Sequence, residues 1–496
     1  MKGALPFKPK IQVTLSKHPD FAAMIEPMTN QLQLVTPNTK VRLGLKKLLS
    51  IARKQDAIEA IAVLSVVFVT VTFLLDGGAS FNGLYSYVDA VDRLTALVAT
   101  DLLLIQTMLI ARVPWLDRLY GHDRATAVHK KLGKPVLYLI IAHFLASVWA
   151  YAILDSKNVI DELVNMVKNV PDMLTALIAF ICMILVVVTS IKIARKKLSY
   201  EAWYIVHLLG YGAILFAIPH EFSTGVDIYG KPVATAFWVG AYFFVAGNIV
   251  WFRFLNPIVY SFMHGLRIEK VQVESSDASS IYVSGSRLGK IGTKSGQFFI
   301  LRVLTKDEWW RAHPFSISAA PTDKSIRFTI GVRGDDTKKL QTVKPGTRVI
   351  LEGPYGVFTE DRRTQEKVTL IAAGIGAPPI RALAENIAAR PGDVSIVYRV
   401  RNADDAPLVD ELREIARRRG FFLHVLDGKR AHNASWLPAG GDDSKPDHER
   451  LTALIPNIAK SDVYICGPAA WTHTVEKSLQ KAGTPLAQIH AEEFAW

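Results

Sequence analysis

The stretches His129–His143, HKKLGKPVLYLIIAH, and His207–His220, HLLGYGAILFAIPH, decide the fold of this chain. Each is an apolar segment bounded by histidines, which lie fourteen residues apart in the first stretch and thirteen apart in the second. In an α-helix such spacings put the two members of a pair about 20 Å apart along the axis and close to one face. The two stretches therefore predict membrane helices that carry matched histidine pairs at two depths.

The four histidines indicate two stacked haem sites. A neutral imidazole nitrogen on each side of the iron is a common axial arrangement, and polar residues inside a membrane are costly and usually functional. We expect His129 and His207 to hold one b-type haem, and His143 and His220 to hold the other. The alternative is four unrelated polar residues, or histidines at helix ends whose rings reach the membrane interface.

Composition divides the chain into a membrane half and a soluble half. Apolar stretches predict a bundle of six transmembrane helices at about 57–75, 91–111, 135–154, 172–193, 203–219 and 233–253. After about Met263 the sequence alternates apolar and polar residues, as in a soluble α/β enzyme. We predict a cytosolic N-terminal segment at 1–55, a six-helix di-haem domain at 56–256, and two soluble domains at 263–365 and 366–496.

The distribution of lysine and arginine predicts the orientation of the bundle. These residues are concentrated before the first predicted helix, between the second and third, and between the fourth and fifth. By the positive-inside rule all three segments are cytoplasmic, so both termini face the cytosol, and a bacterial inner membrane is the simplest location. This topology accounts for the net charge of +13 and leaves no support for a nucleic-acid partner. It makes His129 and His207 the inner pair and His143 and His220 the outer pair.

The soluble half reads as two domains in series. Short alternating segments separated by Gly, Pro and Asp predict an antiparallel β-barrel with strands at 267–274, 280–285, 297–303, 325–332 and 348–352. Strand-like runs separated by helical segments then predict a Rossmann-like parallel sheet with strands at 368–372, 394–400, 421–426 and 463–466.

Two motifs in the predicted barrel suit a flavin nucleotide. The hexamer His313-Pro314-Phe315-Ser316-Ile317-Ser318 lies at the end of a strand, where hydroxyl and amide groups could bind the polar edge of a flavin while Phe315 packs against it. The turn that contains Gly334 and Thr337 offers backbone N–H groups to a pyrophosphate. A solvated turn is the alternative for the second motif, and the two are persuasive only together.

The segment Ala372–Pro379, AAGIGAPP, joins a strand to a helix in the last domain. Gly374 and Gly376 allow the backbone to approach a phosphate, and a helix N-terminus tolerates Pro379 in its first turn. The segment is not the GxGxxG fingerprint. Arg399 and Arg401 close the next strand, where arginine suits a 2′-phosphate, so NADPH is preferred over NADH. A surface arginine pair is the alternative.

A third motif in this domain, Cys466-Gly467-Pro468, ends another strand. It places a polarizable sulfur where a nicotinamide could lie, and a buried structural cysteine is the alternative.

Taken together, residues from about 57 to 496 resemble the ferric reductase and NADPH oxidase superfamily of transmembrane flavocytochromes b. The matching elements are the histidine pairs, HPFSIS, GPYG at Gly353–Gly356, AAGIGAPP, CGP and the terminal Glu493-Phe494. The resemblance implies that Arg and Ser residues near His313–Ser318 bind FAD and that Gly374–Pro379 and Arg399 bind NADPH. It also implies that Phe494 stacks on the flavin until nicotinamide displaces it. The chain extends two residues past Phe494, so Trp496 is an alternative for that role.

The resemblance also implies a reaction: hydride transfer from NADPH to FAD, then single electrons through the inner and outer haems to an acceptor on the outer face. The predicted outer loops hold scattered carboxylates but no dense cluster of the oxygen ligands that Fe³⁺ prefers, which favours O₂ as acceptor and superoxide as product. Arg93, at the outer end of the second helix, resembles in position an arginine that the oxidases use there. An arginine that reaches lipid headgroups is its alternative.

Two other functions stay open at the level of sequence. Ser147 stands where the animal oxidases carry another histidine, so the oxygen site is not fully reproduced and ferric-chelate reduction is the alternative activity. A sensory membrane protein would leave the nucleotide motifs without a use. The sequence does not decide whether an accessory subunit is needed.

Overall fold

The computed structural model of the chain describes residues 45–79, 81–432, 434–440 and 442–494. Most of the predicted N-terminal segment 1–55, and also Trp496, lie outside the described residues. The described helices are α1 (Leu45–Leu75), α2 (Leu84–Leu109), α3 (Pro114–Tyr120), α4 (His122–Leu154), α5 (Val159–Asn169), α6 (Met173–Ser190), α7 (Lys192–Arg195), α8 (Tyr200–Ser223), α9 (Pro232–Asn248), α10 (Asn256–Met263), α11 (Asp335–Leu340), α12 (Ala377–Asn386), α13 (Val409–Arg419), α14 (Asp447–Leu454) and α15 (Ala469–Lys481).

Several of these helices form a membrane domain, as the sequence predicts. Within the described part of the chain, five helices are long and apolar enough to cross a membrane, and six if α2 and α3, which meet at a bend of 85°, count as one span. Helix α4 begins at His122, thirteen residues before the predicted start, because Pro135 and the lysines before it are accommodated inside the helix. Lysine side chains at a helix end can extend toward the interface, so charge alone did not mark the boundary.

The two helices that carry the histidines each pack along a different neighbour. Helix α4 packs along α2, and α8 packs along α6. A separate apolar cluster, which includes Phe73, Leu97 and Trp238, joins α1, α2 and α9. The last span continues from α9 through a π-helical turn, Ile249–Leu255, into α10, which leads directly to the soluble half.

The first soluble domain is built from two antiparallel sheets of three strands, in the orders β1-β2-β5 and β4-β3-β6. The strands are β1 (Arg267–Ser275), β2 (Ala278–Ser284), β3 (Phe298–Val303), β4 (His313–Ser316), β5 (Ser325–Gly331) and β6 (Val349–Tyr355). The predicted barrel is thus confirmed, with one strand more than expected. The motif placed at a strand end is itself β4, and Pro314 is tolerated there because β4 lies at the edge of its sheet.

The second soluble domain contains a parallel sheet of five strands in the order β11-β10-β7-β8-β9. The strands are β7 (Lys367–Ala373), β8 (Val394–Arg399), β9 (Phe422–Leu426), β10 (Ser461–Pro468) and β11 (Ile489–Phe494). Hydrophobic clusters cover both faces of the sheet, so the predicted Rossmann-like α/β fold is confirmed. Strand β11 was not expected, because the sequence IHAEEF is too polar to read as a buried strand.

Candidate functional site

The membrane domain brings the four predicted histidines together in two pairs. The ring centres of His129 and His207 lie 6.1 Å apart, and those of His143 and His220 lie 6.5 Å apart. Since the first histidine of α4 faces the first of α8 and the second faces the second, the two helices run in the same direction. The pairs therefore stack along one axis, about 20 Å apart.

The separation within each pair fits one metal ion between two imidazoles. With metal–nitrogen bonds of about 2.0–2.1 Å, and each ring centre about 1.1 Å behind its nitrogen, the ring centres would lie about 6.3 Å apart. Both observed separations, 6.1 and 6.5 Å, are close to this value. The rings are therefore spaced for axial ligation of a haem iron at each level.

Hydrogen-bond contacts at Nδ1 orient three of these rings. The Nδ1 atom of His129 lies 3.0 Å from the Gln106 carbonyl oxygen, and Nδ1 of His143 lies 2.6 Å from the Asp92 carboxylate. Nδ1 of His207 lies 3.2 Å from a serine hydroxyl, that of Ser190. A proton held on Nδ1 leaves Nε2 as the metal-binding nitrogen, so these contacts fit a ligand role.

Arg93 lies near the outer pair, one residue after Asp92, but its charge is already compensated. Its guanidinium donates to both oxygens of Asp227, at 2.8 and 2.5 Å, and to Asp89 at 3.3 Å. It also lies over the ring of Phe73, 5.3 Å from the centroid. The structure thus holds Arg93 in an ion-pair network within the protein.

A cavity of about 410 Å³ joins three of the predicted nucleotide motifs. Its walls include the four residues of β4, the turn with Gly334 and Thr337, and the nucleotide loop at the start of α12. The predicted flavin-binding residues that line it are His313, Pro314, Phe315, Ser316, Gly334 and Thr337. Ile375 and Pro378 of the nucleotide loop line it as well. The rings of His313 and Phe315 are parallel, with centroids 5.8 Å apart. The cavity therefore offers an aromatic wall beside a glycine turn, as a flavin nucleotide requires.

Ser318 does not reach this cavity. It is fully buried, and its hydroxyl accepts a hydrogen bond of 3.0 Å from Arg327 Nε. Arg327 in turn binds Glu411 of the α/β domain at 2.7 Å, and Arg381 binds the same carboxylate. Burial alone would raise the pKa of Glu411, but Arg381 and Arg327 hold it at about 2. Ser318 therefore belongs to an ion-pair cluster between the two soluble domains.

The GPYG motif lies where the barrel meets the membrane domain. Gly353 and Gly356 have φ values of 143° and 94°, which side chains rarely adopt. The amide of Gly356 donates to Asp117 of α3 at 3.0 Å, and the preceding Tyr355 stacks near His122, with ring centroids 6.1 Å apart. The motif therefore also forms part of a junction between barrel and membrane.

Charged groups strengthen this junction. Arg112, just after α2, pairs with Glu352 of the barrel, which also binds Arg302 at 3.1 Å. Arg362 donates to the carbonyl of Leu119 at 3.0 Å. The barrel is therefore bound to the segment that connects the second and third predicted spans.

The nucleotide loop and the CGP motif pack against each other. A Cβ atom on Gly376 would lie 2.1 Å from the carbonyl oxygen of Cys466, so glycine is required there. A Cβ atom on Gly467 would lie 2.7 Å from the Trp471 ring. Gly374 has a φ of 51°, and Pro379 is buried in the first turn of α12. The parallel sheet thus brings both motifs together at the carboxyl ends of the neighbouring strands β7 and β10.

Arg399, predicted to bind the 2′-phosphate of NADPH, donates hydrogen bonds to backbone carbonyls of the protein. Its Nε donates to the carbonyl of Trp436 at 3.1 Å, and its terminal nitrogens donate to Leu426 at 3.0 Å and Gly428 at 2.7 Å. The acceptors are the last residue of β9 and two residues of the segment that follows it, so Arg399 fastens this segment to the end of β8. Arg401, two residues later, is exposed.

Cys466 is completely buried within the hydrophobic core of the α/β domain. Burial, with Glu492 nearby, raises the pKa of its thiol well above the usual range, so this cysteine does not act as a thiolate. The backbone of β11 pairs Cys466 with Glu492 and Pro468 with Phe494. Strand β11 therefore brings Phe494 beside the CGP motif.

Several residues of the candidate site were not predicted from the sequence. Asp92, Gln106 and Ser190 contact the histidines, and Glu492 accepts a hydrogen bond of 3.5 Å from Ser316. A carboxylate within an apolar stretch, such as Asp92, is a usable signal because its burial is costly. Backbone carbonyls and hydroxyls give no comparable signal.

Comparisons with known proteins agree with this architecture. Residues 95–218 match the family "Ferric reductase like transmembrane component", residues 265–359 match "FAD-binding domain", and residues 370–477 match "Oxidoreductase NAD-binding domain". The soluble half is similar to known reductases. The ferredoxin reductase component of 3-ketosteroid-9-alpha-monooxygenase from Mycolicibacterium smegmatis is 28% identical over 46% of this chain and 65% of that protein.

Two further relatives are a flavohemoprotein and a respiratory burst oxidase homolog. The flavohemoprotein of Vibrio cholerae is 26% identical over 54% of this chain and 70% of its own length. Respiratory burst oxidase homolog protein D of Arabidopsis thaliana is 31% identical over 25% of this chain and 16% of its own length. This chain therefore spans less than two thirds of the Mycolicibacterium and Arabidopsis proteins.

The chain thus joins a membrane domain that matches a ferric reductase model to two soluble domains that match FAD-binding and NAD-binding models. This combination of domains supports a place in the superfamily of ferric reductases and NADPH oxidases.

Proposed function

We propose that this protein transfers electrons from NADPH through FAD and two b-type haems to O₂ on the outer face, where superoxide forms. The observation that carries the proposal is the pair of histidine ring separations, 6.1 and 6.5 Å, at two levels of parallel helices. When bound, FAD would accept a hydride and the haems would pass single electrons. The chain's part is to position these groups and to keep water from them.

Each haem would be held by one histidine from α4 and one from α8. His129 and His207 would hold the inner haem, oriented by Gln106 and Ser190. His143 and His220 would hold the outer haem, with Asp92 on Nδ1 of His143.

For the nucleotides, the cavity beside β4 would take the flavin, with Phe315 against its ring system. The loop at Gly374–Pro379, before α12, would take the pyrophosphate of the nicotinamide nucleotide. Because Arg399 is occupied by loop carbonyls, we assign the 2′-phosphate to the exposed Arg401. Phe494 would cover the flavin until nicotinamide enters.

Orientation follows from the junction between the barrel and the membrane domain. The barrel binds the basic segment that contains Arg112 and α3. A basic segment is retained in the cytoplasm, so the soluble domains and both termini would lie in the cytosol of a bacterial cell. NADPH is cytosolic, and electrons would therefore move outward.

The acceptor is the most specific part of the proposal. Two of the outer carboxylates are engaged in ion pairs: Asp76 with Lys231 at 2.9 Å, and Glu162 with Lys157 at 3.1 Å. Carboxylates neutralised in this way are poor ligands for Fe³⁺, which favours O₂. Reduction of ferric chelates is the second candidate, because residues 95–218 match the ferric reductase family.

Purified full-length protein would test the proposal directly. An oxidised and reduced absorption spectrum should report two haems per chain with two imidazole ligands each. NADPH should then drive superoxide formation in air faster than it drives ferric-chelate reduction under argon. A protein without haem would contradict the whole proposal, whereas faster chelate reduction would contradict only the choice of O₂.

A further inference from the structure

The last membrane span contains an arginine on an unusual turn. Arg253 lies in the π-helical turn Ile249–Leu255, between α9 and α10. Such turns are rare and occur often at functional sites. The guanidinium donates to the carbonyl of Ile110 at 3.1 Å and to the hydroxyl of Tyr204 at 3.3 Å.

These two contacts locate Arg253 relative to the inner histidine pair. Ile110 is four residues beyond Gln106, whose carbonyl contacts His129. Tyr204 is three residues before His207 on α8. On both flanks, Arg253 therefore lies about one helical turn, or about 5 Å, from the level of the inner pair.

The charge of Arg253 is not matched by its hydrogen-bond partners. Within the described part of the chain, both of its acceptors are uncharged oxygen atoms. Glu352 of the junction attracts Arg253 through its charge, but its carboxylate is bound to Arg112 and Arg302. A partly buried cation of this kind is costly unless an anion accompanies it.

A buried histidine lies beside the same arginines. Burial is the main cause that lowers the pKa of His122 to about 4; Arg112 and Arg253 act in the same direction, and Glu352 opposes them. His122 is therefore neutral at physiological pH and adds no charge beside Arg253.

We propose that Arg253 binds the carboxylate groups on the edge of the haem held by His129 and His207. This inference rests on the proposed function. A haem carries two carboxylates on one edge of its ring, and an edge directed toward α10 brings them to the guanidinium. Arginine binds carboxylates through paired N–H donors, so Arg253 would fix the rotation of the haem as well as hold it.

The positive charge has a second consequence for the inner haem. A fixed cation beside the ring favours the form that carries one more electron, and so it raises the midpoint potential. Arg253 would thus act as a positioning residue that also makes the inner haem the easier of the two to reduce from the flavin.

Redox titration of full-length protein tests the inference without reference to turnover. In a His143→Ala background, which should retain only the inner haem, we expect Arg253→Gln to lower the midpoint potential and to reduce haem retained per chain. Arg253→Lys keeps the charge and should restore the potential while recovering less of the haem. Arg302→Gln removes one positive charge from the same junction and serves as the matched control.

Each outcome bears on the inference. An unchanged potential and haem content in Arg253→Gln would overturn it, and so would an equal shift in Arg302→Gln. If Arg253→Gln does not fold, Tyr204→Phe provides the test, because loss of the hydroxyl frees the guanidinium and should shift the inner potential alone; no shift there would also overturn the inference. If the unmodified protein lacks haem, the proposed function itself has failed, which is a distinguishable result.

Discussion

At the scale of single residues, the histidines were predictable and their supporting groups were not. The spacing of His129 and His143 is a local property of one helix, so it can be read from the sequence. The Asp92 carboxylate that orients His143 comes from a position 51 residues away. No periodicity in the sequence connects two such positions, so only the fold could pair them.

Asp92 should control the outer haem selectively. In Asp92→Asn the ring of His143 loses a charged acceptor, so the imidazole becomes a weaker ligand for ferric iron. We expect about 10–100-fold weaker binding of the outer haem and a higher midpoint potential. Haem titration of the apoprotein and redox titration measure the two effects.

Asp101 provides a matched control on the same helix. This buried carboxylate accepts a hydrogen bond from Ser65, and no hydrogen bond joins it to a histidine among the described residues. Asp101→Asn should therefore leave both haems as they are. Equal losses in the two variants would mean that any buried carboxylate of α2 acts only on folding.

Arg93 and Asp227 allow the oxygen proposal to be separated from a structural role. If Arg93 stabilises a developing anion, Arg93→Ala should lower superoxide formation about tenfold, or about 1.4 kcal/mol in the barrier. Asp227→Asn removes the negative charge that pairs with Arg93, so it should maintain or increase the rate of superoxide formation. A purely structural ion pair would instead give equal decreases in both variants, with haem content as the check.

The two arginines after β8 should differ in nucleotide selectivity. Arg401→Ala should raise the KM for NADPH more than that for NADH, by an amount equivalent to about 1.5–3 kcal/mol. Arg399→Ala removes hydrogen bonds to three carbonyls at the end of β9 and in the segment after it, so it should affect both nucleotides alike and lower the melting temperature. Steady-state kinetics with each nucleotide would contradict the assignment if Arg399→Ala alone impaired NADPH.

At the scale of secondary structure, patterns with a strong period were predictable and short edge strands were not. Helices α4 and α8 carry long apolar runs, and β7, β8 and β10 are the buried central strands. Strand β4 contains Pro314, and β11 is mostly polar; both lie at sheet edges, where packing imposes a weaker pattern. The residues that β11 brings into the site, Glu492 and Phe494, were therefore hard to locate in space.

The parallel arrangement of α4 and α8 predicts that the two haem sites can be removed independently. His220→Ala should abolish the outer haem and leave the inner haem in place, because the inner pair shares no ligand with it. Low-temperature difference spectra and haem-to-protein ratios give the measurement. Simultaneous loss of both haems from a protein that still folds would contradict the pairing.

At the scale of the whole molecule, ion pairs join the barrel to the membrane domain. The pair Arg112 and Glu352 crosses this junction, while the pair Arg302 and Glu352 lies within the barrel. The GPYG motif was predicted as a flavin element, and its contacts with α3 could not be foreseen because they join separately folded parts of the chain.

Breaking the junction should slow electron transfer from flavin to haem. In Arg112→Gln we expect slower haem reduction by NADPH under argon, with unchanged transfer from the flavin to a soluble dye. The reason is that loosening the barrel lengthens the path to the inner haem but leaves the flavin site intact. Stopped-flow absorbance follows both steps. Arg302→Gln should slow haem reduction much less, and equal slowing would place the effect within the barrel.

The packing of α4 along α2 and of α8 along α6 has a consequence for biogenesis. Helices α2 and α4 form a first helical pair, and α6 and α8 form a second pair that leaves the ribosome later. The two helices of each pair can pack together during insertion. In the proposed holoprotein every iron takes one ligand from α4 in the first pair and one from α8 in the second, so neither pair can hold a haem alone. Haem would then join two parts of the chain that are synthesised at different times, and its supply in the cell would decide when the membrane domain is complete.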